Sequence, residues 1–220
     1  MTDEFHVARE MYLKTIYNLE SRNGAARTGD IAKSLGITPG SVTNTLKVLE
    51  SKGLIAHEPY KDVKLTEMGL KLALSVFRRH RLAETLLTRV LKLDWVRSHE
   101  EASKLEHAIS DDLANSIEKA LDAPRTCPHG NPIPSETGSM QPVRDQPLSD
   151  LDNGDSATVS RVPYENADLL RYLATLGMVP GAKIHVEEKA SSDGPMLVKV
   201  GSSSYPLTLD VASALYVSKA

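Results

Sequence analysis

The chain has 220 residues, 40 % of them hydrophobic and 25 % charged, with a formal net charge of -3. This is an ordinary globular composition, long enough for one large domain or two to three small ones. It excludes a membrane-spanning helix, since no run of about 18 apolar residues occurs, and an internal disulfide, since Cys127 is the only cysteine. The opening MTDEFHVARE is charged and lacks the apolar centre of a secretory signal. With the lone thiol, it predicts a reducing, cytoplasmic setting. The charge is unevenly spread. Residues 1–74 carry 10 Lys and Arg against 9 Asp and Glu, whereas residues 121–220 carry 8 against 12. A front half that is basic relative to the back permits nucleic-acid binding there without requiring it.

In chain order, residues 4–21 read as a helix, with Val7, Met11, Leu13, Ile16, Tyr17 and Leu19 near helical spacing and Gly24 as the stop. Thr28 reads as the N-cap of a short helix through Leu35, stopped by Gly36. The turn ITPG leads to a second helix from Ser41 to Lys52, with Val42, Leu46 and Leu49 inward and Gly53 at its end. Two short helices across a brief glycine-containing turn make a helix-turn-helix. Residues Ile55 to Glu58 and Val63 to Thr66 then suit a hairpin with PYKD at its tip, the wing of a winged helix-turn-helix.

Residues 67–92 and 98–121 predict two long helices. In the second, Leu105, Ile109, Leu113, Ile117 and Leu121 recur every four residues, a stripe for a core or a dimer seam. Residues 123–148 are rich in Pro, Gly, Ser and Thr and read as a linker or arm. Residues 149–220 alternate strands with a helix over 166–177, an order that suits a small SH3-like β-barrel. The predicted class is mainly α with α+β parts. The predicted boundaries are 1–74, 75–122, 123–148 and 149–220.

The chemistry concentrates in HEEASKLEH, residues 99–107. On one unbroken helix, offsets of four, seven and eight share a face, so His99, Ser103, Glu106 and His107 are expected together. His99 and His107 would stand about 12 Å apart along the axis, too far for one ion, so two sites are expected. On the preceding helix His80 and Glu84 are four apart and share a face. Imidazole and carboxylate together suit Zn, Fe, Mn, Co or Ni. His80, Glu84 and His99 can make one site; Glu106 and His107 can make another with Met11, whose thioether is a soft donor. The bland reading of a His-Glu pair at this spacing is a surface ion pair. The Cys127 and His129 of CPHG, a lone Cys-x-His in a loop, give a weak metal signal. GxGxxG, the P-loop, GxSxG and HExxH are all absent.

The frame EMYLKTIYNLE, the helix-turn-helix, RRHRLAETLLTRVLKLD, HEEASKLEHAISDDL and GNPIP together resemble the diphtheria toxin repressor family of bacterial metal-activated transcription repressors, over about residues 8–135. LATLGMVPGAKIHV resembles the SH3-like domain of the family's longer members. The resemblance implies residues 75–122 as a metal-binding and dimerisation domain. It implies an ancillary site of His80, Glu84 and His99, and a primary site of Met11, Glu106 and His107. Ser103 stands where the iron branch has a cysteine, and Glu165 is a candidate ligand from the third domain. Fe2+ or Mn2+ is the implied cofactor, and a homodimer on double-stranded operator DNA the implied assembly, repressing metal uptake and homeostasis genes. No enzyme activity, membrane or small organic substrate is implied. Arg27, Thr38, Ser41, Thr43, Asn44, Lys47, Tyr60 and Lys61 are the expected DNA contacts, with Lys33 and Lys64 as further phosphate candidates. Asn44 is expected to read a base, since an amide can pair with adenine. The rival readings are a winged-helix regulator answering an organic ligand and a metal-dependent hydrolase. The second needs an open metal position beside a base and a substrate pocket, of which the sequence gives no sign.

Overall fold

The structure, a computed structural model, describes residues 2–56, 62–163, 166–190 and 194–219, with side chains from His6 onward. Tyr60, Lys61 and Glu165 therefore lie outside the described residues. The chain forms two compact units. One comprises Met1–His80, Glu106–Asp111 and Pro134–Ser139; the other comprises Arg81–Leu105, Asp112–Ile133 and Met140–Ala220.

The first unit opens with α1 (Thr2–Asn23), which buries Tyr12, Leu13 and Ile16 and stops before Gly24 in the left-handed region. The pair α2 (Thr28–Leu35) and α3 (Pro39–Ser51) forms the helix-turn-helix. Gly36, at φ 66°, closes α2 because its backbone N–H must turn back to the last carbonyls of the helix. Two local details differ from expectation. Arg27, not Thr28, is the N-cap of α2, and no side chain caps it. The start of α3 lies at Pro39, whose fixed φ suits a first helical position, with the Thr38 hydroxyl accepting from the Ser41 N–H. Strands β1 (Ile55–Ala56) and β2 (Lys64–Leu65) pair antiparallel, Ile55 opposite Leu65 and Ala56 opposite Lys64. A bridge from Val63 to Ala26 ties this wing to the start of α2. The core joins Leu13, Ile16, Ile31, Val42, Leu46, Leu49, Leu54 and Val63. The expected inward residues of α3 are thus all buried.

Helix α4 (Glu67–Arg89) contributes to both units. The expected single helix over 98–121 is broken. It becomes α5 (Trp95–Leu105) and α6 (Asp111–Ala120), with residues 106–110 in a turn and irregular backbone between them. The sequence Ser110-Asp111-Asp112 is a helix-start signal, placing carboxylates where an N-terminus favours negative charge. The four-residue stripe splits accordingly. Ile109, Ile117 and Leu121 are buried, while Leu105 and Leu113 are exposed.

In the second unit a six-stranded antiparallel sheet has the order β3-β8-β4-β5-β6-β7. Its strands are β3 (Gln146–Pro147), β4 (Ser156–Arg161), β5 (Lys183–Lys189), β6 (Met196–Val200), β7 (Ser203–Leu207) and β8 (Tyr216–Lys219). Helix α7 (Ala167–Thr175) is capped by the Asn166 side chain and followed by Gly177 at φ 69°. A last short helix, α8 (Leu209–Ala214), precedes β8. Val159, Leu170, Leu173, Met178, Val186, Met196, Val198 and Val217 fill one core, against which Trp95 and Val96 of α5 also pack. Arg171 of α7 is ion-paired with Glu100 of α5, which fixes that helix to the sheet domain.

The stretch expected as a linker begins instead as a bonded turn. The Cys127 N–H donates to Asn131 O, Gly130 N–H to Cys127 O and Ile133 N–H to Arg125 O, each at 2.9 Å. The Asn131 side chain donates to Val162 O at 2.7 Å, and the Val162 N–H to His129 O at 3.0 Å. Cys127, His129 and Asn131 are buried. Proline and glycine mark tight turns as readily as flexible arms, and here buried backbone groups find partners within the turn.

Candidate metal centres and nucleic-acid interface

Two clusters of ionisable side chains are built from these elements, one in each unit. In the second unit Glu84 of α4 is fully buried. Its Oε1 lies 3.1 Å from His99 Nδ1 on α5 and 3.1 Å from His129 Nδ1 in the turn. Glu84, Cys127 and His129 offer ligand atoms that all lie within 4.8 Å of one another. His129 Nε2 lies 3.0 Å from the Trp95 carbonyl. A carbonyl only accepts, so that bond places the imidazole proton on Nε2 and turns the Nδ1 lone pair toward Glu84 Oε1. Two acceptors face each other, and either a proton or a cation must sit between them. A backbone carbonyl fixing the ring through its far nitrogen is the usual support of a metal-bound histidine.

The donor set fits a divalent transition metal. A buried carboxylate and a buried thiol each favour a cation once deprotonated, and two imidazoles supply borderline-soft nitrogen. His80, the third member expected at this site, stands one helical turn before Glu84 on α4. Ser103, on α5, is exposed, and its hydroxyl donates to His99 O.

In the first unit Glu10, Lys14, Arg79, His80, Glu106 and His107 form the other cluster. Lys14 Nζ lies 2.7 Å from both Glu106 oxygens. His80 Nδ1 lies 2.6 Å from Glu106 Oε2. The His107 ring ties two carboxylates together, with Nδ1 at 2.6 Å from Glu10 Oε2 and Nε2 at 3.3 Å from Glu106 Oε1. Arg79 donates to Glu10, and His6 lies 3.1 Å from it. Burial pushes the Glu106 carboxyl up, but the His80 hydrogen bond and the Lys14 charge outweigh it and hold it at about 2. Burial likewise raises Glu10, and the bonds from His107 and Arg79 reverse the shift, leaving it below the usual carboxylate range.

The face expected to carry His99, Ser103, Glu106 and His107 does not exist, because Glu106 and His107 follow the end of α5 rather than lying on it. In the structure His99 lies 3.1 Å from Glu84, while Glu106 lies 3.3 Å from His107 and 2.6 Å from His80, a residue expected at the other site. Met11 is 45 % exposed on α1, so of the expected primary set Glu106 and His107 are the pair in contact. One residue, Glu10, was missed as a support. Cys127 and His129 carried only the weak Cys-x-His signal, and Glu10 carried none.

On α3, Ser41, Asn44 and Lys47 are exposed, opposite buried Val42, Leu46 and Leu49. Thr43 is half-buried, and its hydroxyl donates to Pro39 O. The Thr38 and Ser41 hydroxyls bond each other at the helix start. Arg27 is exposed and pairs with Asp62 at 3.2 Å, an exposed contact of little energetic weight. Lys33 and Lys64 are exposed.

Comparison with known proteins accounts for nearly all of this chain. The model of the iron dependent repressor N-terminal DNA binding domain matches residues 4–63. The iron dependent repressor metal binding and dimerisation domain matches residues 66–135. The FeoA domain matches residues 146–219. The chain is 36 % identical over 222 residues to the iron-dependent repressor IdeR of Mycobacterium tuberculosis, covering 96 % of each. It is 30 % identical over 220 residues to the diphtheria toxin repressor of Corynebacterium glutamicum, covering 96 % of this chain and 95 % of that one. Among solved structures, a manganese-dependent transcriptional repressor in complex with manganese superposes with a TM-score of 0.87 at 30 % identity. That match covers 96 % of this chain and 100 % of the other.

Proposed function

The chain belongs to the iron-dependent repressor family of metal-dependent, DNA-binding transcriptional regulators, and from that premise we propose how its own residues perform the regulation. Fe2+ or Mn2+ is held at two places. One ion is held by Glu84, His99, Cys127 and His129, with His80 one turn back on α4 and Glu165 as a further ligand. The other is held by Glu106 and His107, with Met11 completing the set from α1 and Glu10 orienting the His107 ring. Ser103 would have to give up its bond to His99 O to join that set. The observation that carries this reading is the shared Glu84 oxygen, facing two imidazole nitrogens beside a buried thiol.

Metal regulates by binding the DNA-competent arrangement more tightly than the other. A ligand indifferent to the two arrangements shifts nothing. Met11 belongs to the helix that packs on the helix-turn-helix core through Leu13 and Ile16, so an ion held by Met11 acts on the DNA-binding unit. The α3 helix enters the major groove. Asn44 reads a base edge and Lys47 meets phosphate, while Thr38, Ser41 and Thr43 make short polar or methyl contacts. Arg27, Lys33 and Lys64 face phosphates, as do Tyr60 and Lys61 of the wing. Two chains pair through exposed apolar side chains of the dimerisation domain, among them Val90, Leu91, Leu105 and Leu113. Their recognition helices match half-sites about 34 Å apart or a multiple of it. The regulator works in the cytoplasm and represses genes of metal uptake and homeostasis.

Glu106→Ala and His107→Ala should each abolish metal-dependent DNA binding while the far-UV circular dichroism stays that of the parent. Unchanged affinity for DNA in the presence of metal refutes the role given to this pair.

A further inference from the structure

In the cluster around Glu106, two permanent cations already stand against two buried carboxylates before any ion arrives. The carboxylates, Glu10 and Glu106, are each 4 % exposed, and the cations are Lys14 and Arg79. Arg79 is 11 % exposed and serves Glu10. Lys14 is 20 % exposed and serves both oxygens of Glu106 at 2.7 Å, its ammonium 5.5 Å from the centre of the Phe77 ring. A divalent ion added to Glu106 with Lys14 still in place sets two further positive charges against the ammonium on the same carboxylate, in a site of low dielectric where like charges repel strongly. Of the two cations, Lys14 is the one built to leave. Its ammonium is a point charge on a flexible four-carbon stem nearer the solvent, whereas the Arg79 fork is held by a second carboxylate.

We infer that Lys14 is a displaceable internal counter-ion, occupying the Glu106 carboxylate until a divalent metal expels it and thereby setting the metal concentration at which the regulator responds. The inference rests on the proposed role of Glu106 as a ligand. It makes metal binding an exchange. The ion pair from α1 to Glu106 breaks in the same event that lets α1 offer Met11, one turn before Lys14. The response threshold is then a property of the Lys14–Glu106 pair as much as of the ligands.

Calorimetric titration of the full-length chain with Mn(II), in parent, Lys14→Met, Lys14→Arg and Glu106→Ala forms, tests this. Lys14→Met keeps the length and removes the charge, and should bind Mn(II) at least tenfold more tightly. Lys14→Arg keeps the charge and should stay within threefold of the parent. Equal or weaker binding by Lys14→Met, with binding lost in Glu106→Ala, overturns the exchange and leaves the site standing. Undiminished binding in Glu106→Ala overturns the site and the exchange together. Melting provides a second readout that survives a loss of stability. In EDTA, Lys14→Met should melt below the parent, because Glu106 has lost a buried partner. Mn(II) should then raise its midpoint by more than it raises the parent's. A rise no larger than the parent's overturns the inference.

Discussion

His129 Nδ1 faces Glu84 Oε1 at 3.1 Å while the other nitrogen of the same ring is turned to the Trp95 carbonyl. The carbonyl requires a proton on Nε2, which leaves Nδ1 to share a proton or a cation with the carboxylate beside the Cys127 thiol. Replacing a donor here should weaken metal binding without unfolding the chain. His129→Ala and Cys127→Ser are each expected to lower Mn(II) or Co(II) affinity at one of two sites by tenfold or more, and a Co(II)-loaded parent should lose its thiolate absorption band in Cys127→Ser. A parent whose Co(II) spectrum shows no sulfur ligation removes Cys127 from the site.

Acid stability follows from the other cluster. Glu10 and Glu106 both have folded-state pKa values below the ordinary 4.5, Glu106 at about 2. A depressed carboxylate favours the folded state when ionised. Its contribution is complete above 4.5 and is lost as pH falls through the folded value. In EDTA the urea midpoint should therefore fall steeply between pH 4.5 and about 2, and Glu106→Gln should flatten that fall. Identical pH profiles for the two proteins contradict the ion-pair network.

The amino-acid pattern carries the α-helical punctuation and the winged helix-turn-helix well, because those signals are local. Gly24, Gly36 and Gly177 end helices where the backbone turns left-handed. The inward residues Val42, Leu46 and Leu49 keep helical spacing. The break at 106–110 was hidden by a leucine and isoleucine period that runs straight through it, while the side chains that occupy the break, Glu106 and His107, are held by α1 and α4. Periodicity reports only neighbours on one element. For the same reason the surroundings of Cys127, His129 and Glu10 were illegible. Their partners, Glu84, Trp95 and His107, lie on elements distant in sequence. A proline- and glycine-rich texture describes a loop's backbone and says nothing of what its side chains reach.

Gly130 tests the turn that carries Cys127 and His129. Its φ is 81°, and a Cβ there would meet Ser160 O at 2.0 Å and Arg161 Cα at 2.9 Å, both backbone atoms of β4. Gly130→Ala combines an unfavourable left-handed conformation with a backbone clash and should cost about 2 kcal/mol or more in urea unfolding. It should also weaken metal binding at the Glu84 site, since the turn must shift. A variant as stable as its parent is incompatible with this close approach.

At the DNA face, Lys47 and Asn44 are assigned different work. Lys47→Ala should lower affinity evenly across sequences and reduce the slope of log affinity against log salt by about one. Asn44→Ala should instead relax the preference at one base pair by about 1–3 kcal/mol, with the salt slope unchanged. Competition binding to a panel of single-base-pair variants, repeated over a salt series, separates the two. A uniform loss for Asn44→Ala would move it from base to phosphate.

The most direct test measures affinity for a duplex selected from a random library, with the full-length protein held without oxygen and free Mn(II) or Fe(II) raised stepwise. Affinity should climb at least a hundredfold with either ion and return to the starting value when EDTA is added. Equal affinity before metal, with metal and after EDTA contradicts the account.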